Sequence, residues 1–166
     1  MPPLSGTALM EGGSFAWINP QTAVIGCGIR VNREGAEQVS EVLKRQGVEL
    51  IVVDLVGYDI HIDGSFLMID RDLALVDPFG LPYSFLERLK ELKVRAIEIT
   101  PADNKWIINS LAVAPGELIM PEGATNRTLD ELAGHGVRWT TVPYDRMQLN
   151  GGGIHCSTTP LIRDPA

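Results

Sequence analysis

Short apolar runs alternate with turn chemistry and with stretches of helical periodicity, and the same script runs three times along the chain. Residues 14–18 are strand-like, Asn19-Pro20-Gln21 is turn chemistry, and residues 22–26 read as the returning strand of a hairpin. Asn32 is placed to cap a helix over about 33–46, in which Ala36, Val39 and Leu43 share one face and which Gly47 ends. Residues 48–53 are nearly all apolar, as suits a strand in a sheet interior. In the second unit, strands over 65–69 and 73–76 flank Asp70-Arg71-Asp72. Pro82 suits the first turn of a helix whose apolar face is Phe85, Leu86, Leu89 and Leu92, and residues 94–99 close the unit. The third runs from a strand over 106–113 through Ala114-Pro115-Gly116 to a strand over 117–120. A helix capped by Asn126, with Leu129 and Leu132 inward and Gly134 ending it, leads to a closing strand over 137–142.

The closing strands begin at Val48, Val94 and Val137, a period of a little over forty residues that falls within the range of arrays and propellers. The chain therefore reads as one α/β domain of three ββαβ units, over about 11–54, 61–100 and 106–143, followed by a terminal segment over 150–166. An ordinary α/β sandwich in which the similarity is coincidental fits the same pattern.

Length and composition narrow the function classes. At 166 residues, 45% hydrophobic and 21% charged, the chain is globular with a real core. Its net charge of -7, with no offsetting Lys/Arg cluster, argues against a nucleic-acid partner. Two cysteines, Cys27 and Cys156, make no disulfide framework, so a reducing cytoplasm is the default setting. The N-terminus has neither the basic nor the long apolar region of a signal peptide, and the longest apolar runs, such as 50–53, are strand-sized rather than membrane-spanning. No His/Cys/Asp spacing makes a metal site, and no cofactor is expected.

Candidate chemistry centres on Gly151-Gly152-Gly153-Ile154-His155-Cys156-Ser157-Thr158. Consecutive glycines let backbone and ligand approach closely, and a thiolate nucleophile needs open access, nearby donors and some positive potential. Taken alone, Cys156 reads as a small buried apolar residue. A second stretch, His61-Ile62-Asp63, changes the picture, together with Glu11 ahead of Gly12-Gly13. All three residues stand just ahead of a unit's first strand, and Cys156 stands where a fourth unit would open, so a radial array brings them to its axis. A histidine at 61 is suited to general acid/base work, and the carboxylates of Glu11 and Asp63 suit a planar cation with forked N–H donors. Such a set allows thiolate attack on a guanidinium carbon, loss of a protonated amine, and release of a ureido product by water. Attack by an amine instead of water makes the reaction amidino transfer.

Each residue also has a plainer reading. His61 and Asp63 are compatible with a structural pair, Glu11 with a solvated turn, and Arg30 with either a surface charge or a clamp for a substrate carboxylate. His135 reads as a helix-end residue and Cys27 as structural; His155 either tunes the thiol or points away from it.

Glu11-Gly12-Gly13, Gly28-x-Arg30-x-Asn32, His61-x-Asp63 and Gly152-Gly153-x-His155-Cys156-x-Thr158, in this order, resemble the guanidino-group-modifying superfamily. Arginine deiminases, dimethylarginine dimethylaminohydrolases, agmatine deiminases and amidinotransferases make up that superfamily. The resemblance implies a pentein-like α/β propeller of five ββαβ units, of which this chain holds about three. It also implies Cys156 as nucleophile, His61 as acid/base, Glu11 and Asp63 as guanidinium ligands and, more weakly, Arg30 at a substrate carboxylate. Two departures stand out. Ser14 follows Glu-Gly-Gly where the family often has an acidic residue, and nothing matches the family's N-terminal portion. The expected function is hydrolysis of the guanidino C–N bond of arginine or a derivative. The alternatives are an amidinotransferase and a non-catalytic C-terminal fragment or subunit. An incomplete ring leaves strand edges and apolar surface uncovered, so a homo-oligomer or a missing N-terminal portion is expected to complete it.

Overall fold

A computed structural model describes residues 3–161, so the last five positions of the expected terminal segment lie outside the described residues. Three separate three-stranded sheets follow one another. The first holds strands β1 (Phe15–Asn19), β2 (Thr22–Cys27) and β3 (Glu49–Asp54), with helix α1 (Arg33–Lys44) between β2 and β3. The second holds β4 (Phe66–Asp70), β5 (Leu73–Val76) and β6 (Arg95–Glu98), with helix α2 (Tyr83–Glu91). The third holds β7 (Leu111–Ala114), β8 (Glu117–Pro121) and β9 (Arg138–Val142), with helix α3 (Asn126–Gly134); a short helix α4 (Asp145–Gln148) comes after it. In every sheet the first two strands pair antiparallel as a hairpin and the third pairs parallel to the second. Each hairpin even carries its register shift at the same place, just before the turn: Trp17/Asn19, Met68/Asp70 and Ala112/Ala114.

The middle strands β2 and β5 are buried at every position, because both of their faces are covered. Alternation sorts their side chains between two apolar clusters. Ala23 and Ile25 of β2 pack with Ala36, Val39 and Leu43 of α1, whereas Val24 packs with Phe66, Ala74, Val76, Phe85 and Leu89 of the second unit. Leu73 and Leu75 of β5 turn the other way, to Leu118, Met120 and Leu132 of the third unit. Sheets and helices thus stack unit upon unit, and two of the three apolar clusters are shared between neighbouring units. The T-shaped Phe66–Phe85 pair, with ring centroids 5.3 Å apart, fills the first junction.

Caps and turns refine the sequence reading. Asn32 caps α1 as expected, its Oδ1 accepting from Gly35 N at 2.8 Å. Pro82 is the cap of α2 rather than part of its first turn. Thr125, not Asn126, caps α3, accepting from Thr128 N at 3.3 Å; both residue types serve as caps, and the chain enters one residue earlier. The larger correction is at residues 106–113, which are not one strand. Asn104 Oδ1 accepts from Trp106 N and starts a 3-10 turn over Lys105–Ile107, and β7 begins only at Leu111. Ile107 and Ile108 are fully buried in that turn, so an apolar run of strand length is core without being strand.

Asp103 anchors the same region. It is 8% exposed and accepts from Thr100 N (2.8 Å), Thr100 Oγ1 (2.8 Å), Thr125 N (2.6 Å) and Thr128 Oγ1 (3.0 Å). Burial alone pushes its carboxyl up, but the hydrogen bonds from Thr125 and Thr100 outweigh that and hold it at about 2.

Candidate active site

Because β1 is antiparallel to β2, and β4 to β5, the segments entering these first strands lie at the C-terminal ends of the parallel strands. A 3-10 turn precedes each: Gly12–Ser14 before β1, Ile62–Gly64 before β4, and Lys105–Ile107 before β7. A fourth, His155–Ser157, lies after the third unit. Side chains from the first two turns, from the loop after the third and from the fourth converge.

His61 Nε2 lies 2.7 Å from Glu11 Oε2, which joins the first unit to the second. Arg30 Nη1 reaches the other oxygen of Glu11 at 3.4 Å, with both side chains about half exposed. Two residues on from His61, Asp63 is buried, and its Oδ2 receives two groups from the fourth turn: His155 Nδ1 at 3.0 Å and Cys156 Sγ at 3.5 Å. Adjacent residues 155 and 156 therefore do not point apart, and His155 belongs to the cluster. Two groups form, Glu11 with His61 and Arg30, and Asp63 with His155 and Cys156, and the short step from His61 to Asp63 links them. His135 ends α3, where Arg95 Nη1 approaches its Nδ1 at 2.9 Å, and Cys27 is buried at the end of β2.

The expected positive potential at Cys156 is not what the fold supplies. The thiol is exposed, yet partial burial in the turn pushes its pKa up, and the Asp63 carboxylate pushes it further in the same direction. Contacts from the Gly153 backbone and the Asn109 side chain oppose this without reversing it. Burial is thus the larger cause of the rise, and the Asp63 carboxylate adds to it.

Two glycines are required by close approach. A Cβ on Gly13 would lie 2.7 Å from His61 Nδ1, so the histidine ring rests on the bare backbone of the first turn. A Cβ on Gly153 would lie 2.5 Å from Asn109 Oδ1. The obstacle at Gly13 is a side chain that is able to swing away. Gly13→Ala is therefore expected to leave the melting temperature within a few degrees of wild type and to cut turnover about 100-fold by displacing His61. Thermal denaturation and steady-state kinetics check the two halves.

Sequence reasoning missed Asn109, which is 1% exposed. Its Nδ2 donates to Asp63 O at 3.1 Å, and its Oδ1 accepts from Cys156 N at 3.1 Å. The one available signal was the Asn109-Ser110 pair inside an otherwise apolar run.

The family model described as arginine deiminase matches residues 4–105. The chain belongs to the arginine deiminase family. The matched stretch carries Glu11, Arg30, His61 and Asp63 and ends before Asn109 and Cys156. Curated arginine deiminases extend the similarity over nearly the whole chain. The one from Mycobacterium avium is 25% identical over 97% of this chain and 48% of its own length; the one from Latilactobacillus sakei is 22% identical over 93% and 47%. The chain thus spans about half the length of the curated relatives it matches. Solved structures share its fold. A dimethylarginine dimethylaminohydrolase from Pseudomonas aeruginosa, complexed with citrulline, superposes with a TM-score of 0.75 over 92% of this chain and 56% of its own, at 22% identity. An inosamine-phosphate amidinotransferase from Streptomyces griseus does so with 0.77 over 96% and 48%, at 16% identity. The mixed α/β architecture of small sheets is the one these enzymes share. Among the described residues no His/Cys/Asp/Glu group is arranged to hold a metal ion, and no helix is long and apolar enough to cross a membrane.

Proposed function

We propose that this chain carries the nucleophile half of a guanidino-modifying hydrolase acting on arginine or an arginine derivative. The observation that carries the reading is the meeting of Cys156 Sγ with the buried Asp63 carboxylate at 3.5 Å, two residues from a histidine paired with Glu11. A guanidinium seated on Asp63 cancels the charge that disfavours the thiolate, so substrate binding itself readies the nucleophile. The Cys156 thiol gives its proton to His61, the thiolate attacks the guanidinium carbon, and a C–S bond forms. The C–N bond to the leaving amine or ammonia then breaks, and His61 gives that nitrogen its proton. Water deprotonated by His61 adds to the amidino carbon, the C–S bond breaks, and a ureido product leaves. Glu11 holds Nε2 of His61 through one oxygen. The other, which faces Arg30, completes the cation site, and Arg30 swings to a substrate carboxylate.

Amidino transfer is the second reading, favoured by the superpositions on amidinotransferases at TM-scores of 0.77 and 0.78. We further propose that the three units are part of a five-unit ring completed by further units or by another copy. The half-exposed Val113 of β7, with a chain about half the length of its curated relatives, supports this.

The deciding experiment incubates the protein with arginine, methylated arginines and agmatine, with and without an amine acceptor. It reads ureido product, amidinated amine and intact mass, with Cys156→Ala as control. Ureido product that requires Cys156 supports the hydrolase, and amidinated acceptor supports transfer. Neither product nor a Cys156 adduct from folded protein overturns both.

A further inference from the structure

We propose that Asn109 is a positioning residue that fixes the backbone of Cys156 against the Asp63 turn and so sets where the thiol meets its substrate. The proposal rests on the reading of Cys156 as nucleophile. Asn109 comes from the third unit, which otherwise contributes nothing to the cluster, and it touches the site from both ends of one buried amide. Nδ2 donates to the carbonyl of Asp63 at 3.1 Å and Oδ1 accepts the amide of Cys156 at 3.1 Å. Its own carbonyl accepts from His155 N at 2.9 Å. The carboxylate and the thiol that meet across 3.5 Å are thus held to one intermediary through their main chains. Bare Gly153 lets the fourth turn come this near, since any side chain there would meet Asn109.

A short sequence pattern recurs at this place. A short residue precedes a serine at the entrance of each unit: Gly13-Ser14, Gly64-Ser65, Asn109-Ser110 and Cys156-Ser157. Ser110 and Ser157 donate locally, to Ile107 O and Gly153 O, whereas Ser14 reaches Ile60 O ahead of the second unit. Asn109 thus shares with Cys156 its place before a serine, and the fold joins the amide to the thiol's residue side chain to backbone. Asn109 also favours the thiolate, whereas Asp63 opposes it.

The test uses the full chain carrying Asn109→Ala and, separately, the isosteric Asn109→Asp. Asn109→Asp keeps the acceptor for Cys156 N and loses the donor. Mass-mapped iodoacetamide alkylation of Cys156 across pH is read beside steady-state kinetics; buried Cys27 serves as the internal unreactive thiol. Asn109→Ala is expected to lower kcat about 30-fold with KM within about threefold of wild type, and to move the alkylation midpoint to higher pH. Asn109→Asp is expected to move the midpoint up further, through its added charge, and to regain part of its turnover as pH rises. A purely structural role would lower the melting temperature without moving the midpoint. Folded variants with wild-type kcat and an unmoved alkylation midpoint overturn the proposal. If the wild type neither turns over nor forms a substrate adduct, the nucleophile reading has failed. The alkylation profile then still decides whether Asn109 governs the thiol.

Discussion

Asp63→Asn is expected to lower turnover of a guanidino substrate about 1000-fold while making the Cys156 thiol easier to ionise. The two effects have opposite signs because one buried oxygen does two jobs. Asp63 Oδ2 lies 3.5 Å from Cys156 Sγ and 3.0 Å from His155 Nδ1, with only 7% of the side chain exposed. In the resting protein that negative charge stands beside a thiol that partial burial already disfavours as an anion, and it pushes the pKa up. Asparagine has nearly the same shape but no charge, so the alkylation midpoint of Cys156 should fall. The incoming guanidinium, however, loses its buried anionic partner, and with it both charge and forked geometry. Iodoacetamide alkylation across pH, set beside steady-state kinetics, separates the two. A variant that alkylates at lower pH yet turns over poorly is the expected result. Unchanged turnover would remove Asp63 from the cation site.

The largest effect on stability is expected at Asp103, away from the cluster. Asp103→Ala strips the acceptor from the main-chain amides of Thr100 and Thr125 and from the hydroxyl of buried Thr128. Leaving such groups unpaired costs about 3 kcal/mol, or roughly 10 °C in melting temperature for a chain of this size. The wild type carries a matching pH dependence. The folded carboxyl titrates at about 2, below its ordinary value of 3.8, so its contribution is complete above about 3.8 and is lost as pH falls through about 2. Urea unfolding of wild type and Asp103→Ala should therefore differ most at neutral pH and converge in acid. A gap that persists at pH 2 would mean that packing, rather than the carboxylate, holds α3 in place.

Much of the architecture is legible in the apolar pattern. The two hairpins of the first two units, the helix cap at Asn32 and the inward faces of all three helices follow from spacing alone, because burial on one side imposes period two on strands and a near-fourfold period on helices. The third unit is where pattern fails. Trp106-Ile107-Ile108 is as apolar as a strand, but Asn104 turns it into a 3-10 entrance, and hydrophobicity does not distinguish a buried turn from a buried strand. The site divides in the same way. Glu11, His61, Asp63 and Cys156 carry side chains whose chemistry advertises itself. Asn109 acts through main-chain partners 46 and 47 residues away, and only the fold reveals that those partners are adjacent. The upward push on the Cys156 thiol was equally out of reach, since it comes from burial in the turn and from a carboxylate 93 residues away in sequence.

The stacking of units has a consequence for how such a protein changes over time. Glu11, His61, Asp63, Asn109 and Cys156 stand at unit entrances, and none of them belongs to the three apolar clusters that hold the sheets together. Chemistry and cohesion are drawn from different residues of the same repeat. A lineage is then free to exchange the amide, thiol or carboxylate offered at an entrance, and with it the reaction performed, while the folding free energy stored between units stays intact. Evolvability in this scaffold is then greatest at the more exposed entrance positions such as Glu11 and Cys156, and least at buried Asp63 and Asn109, where a substitution changes packing as well.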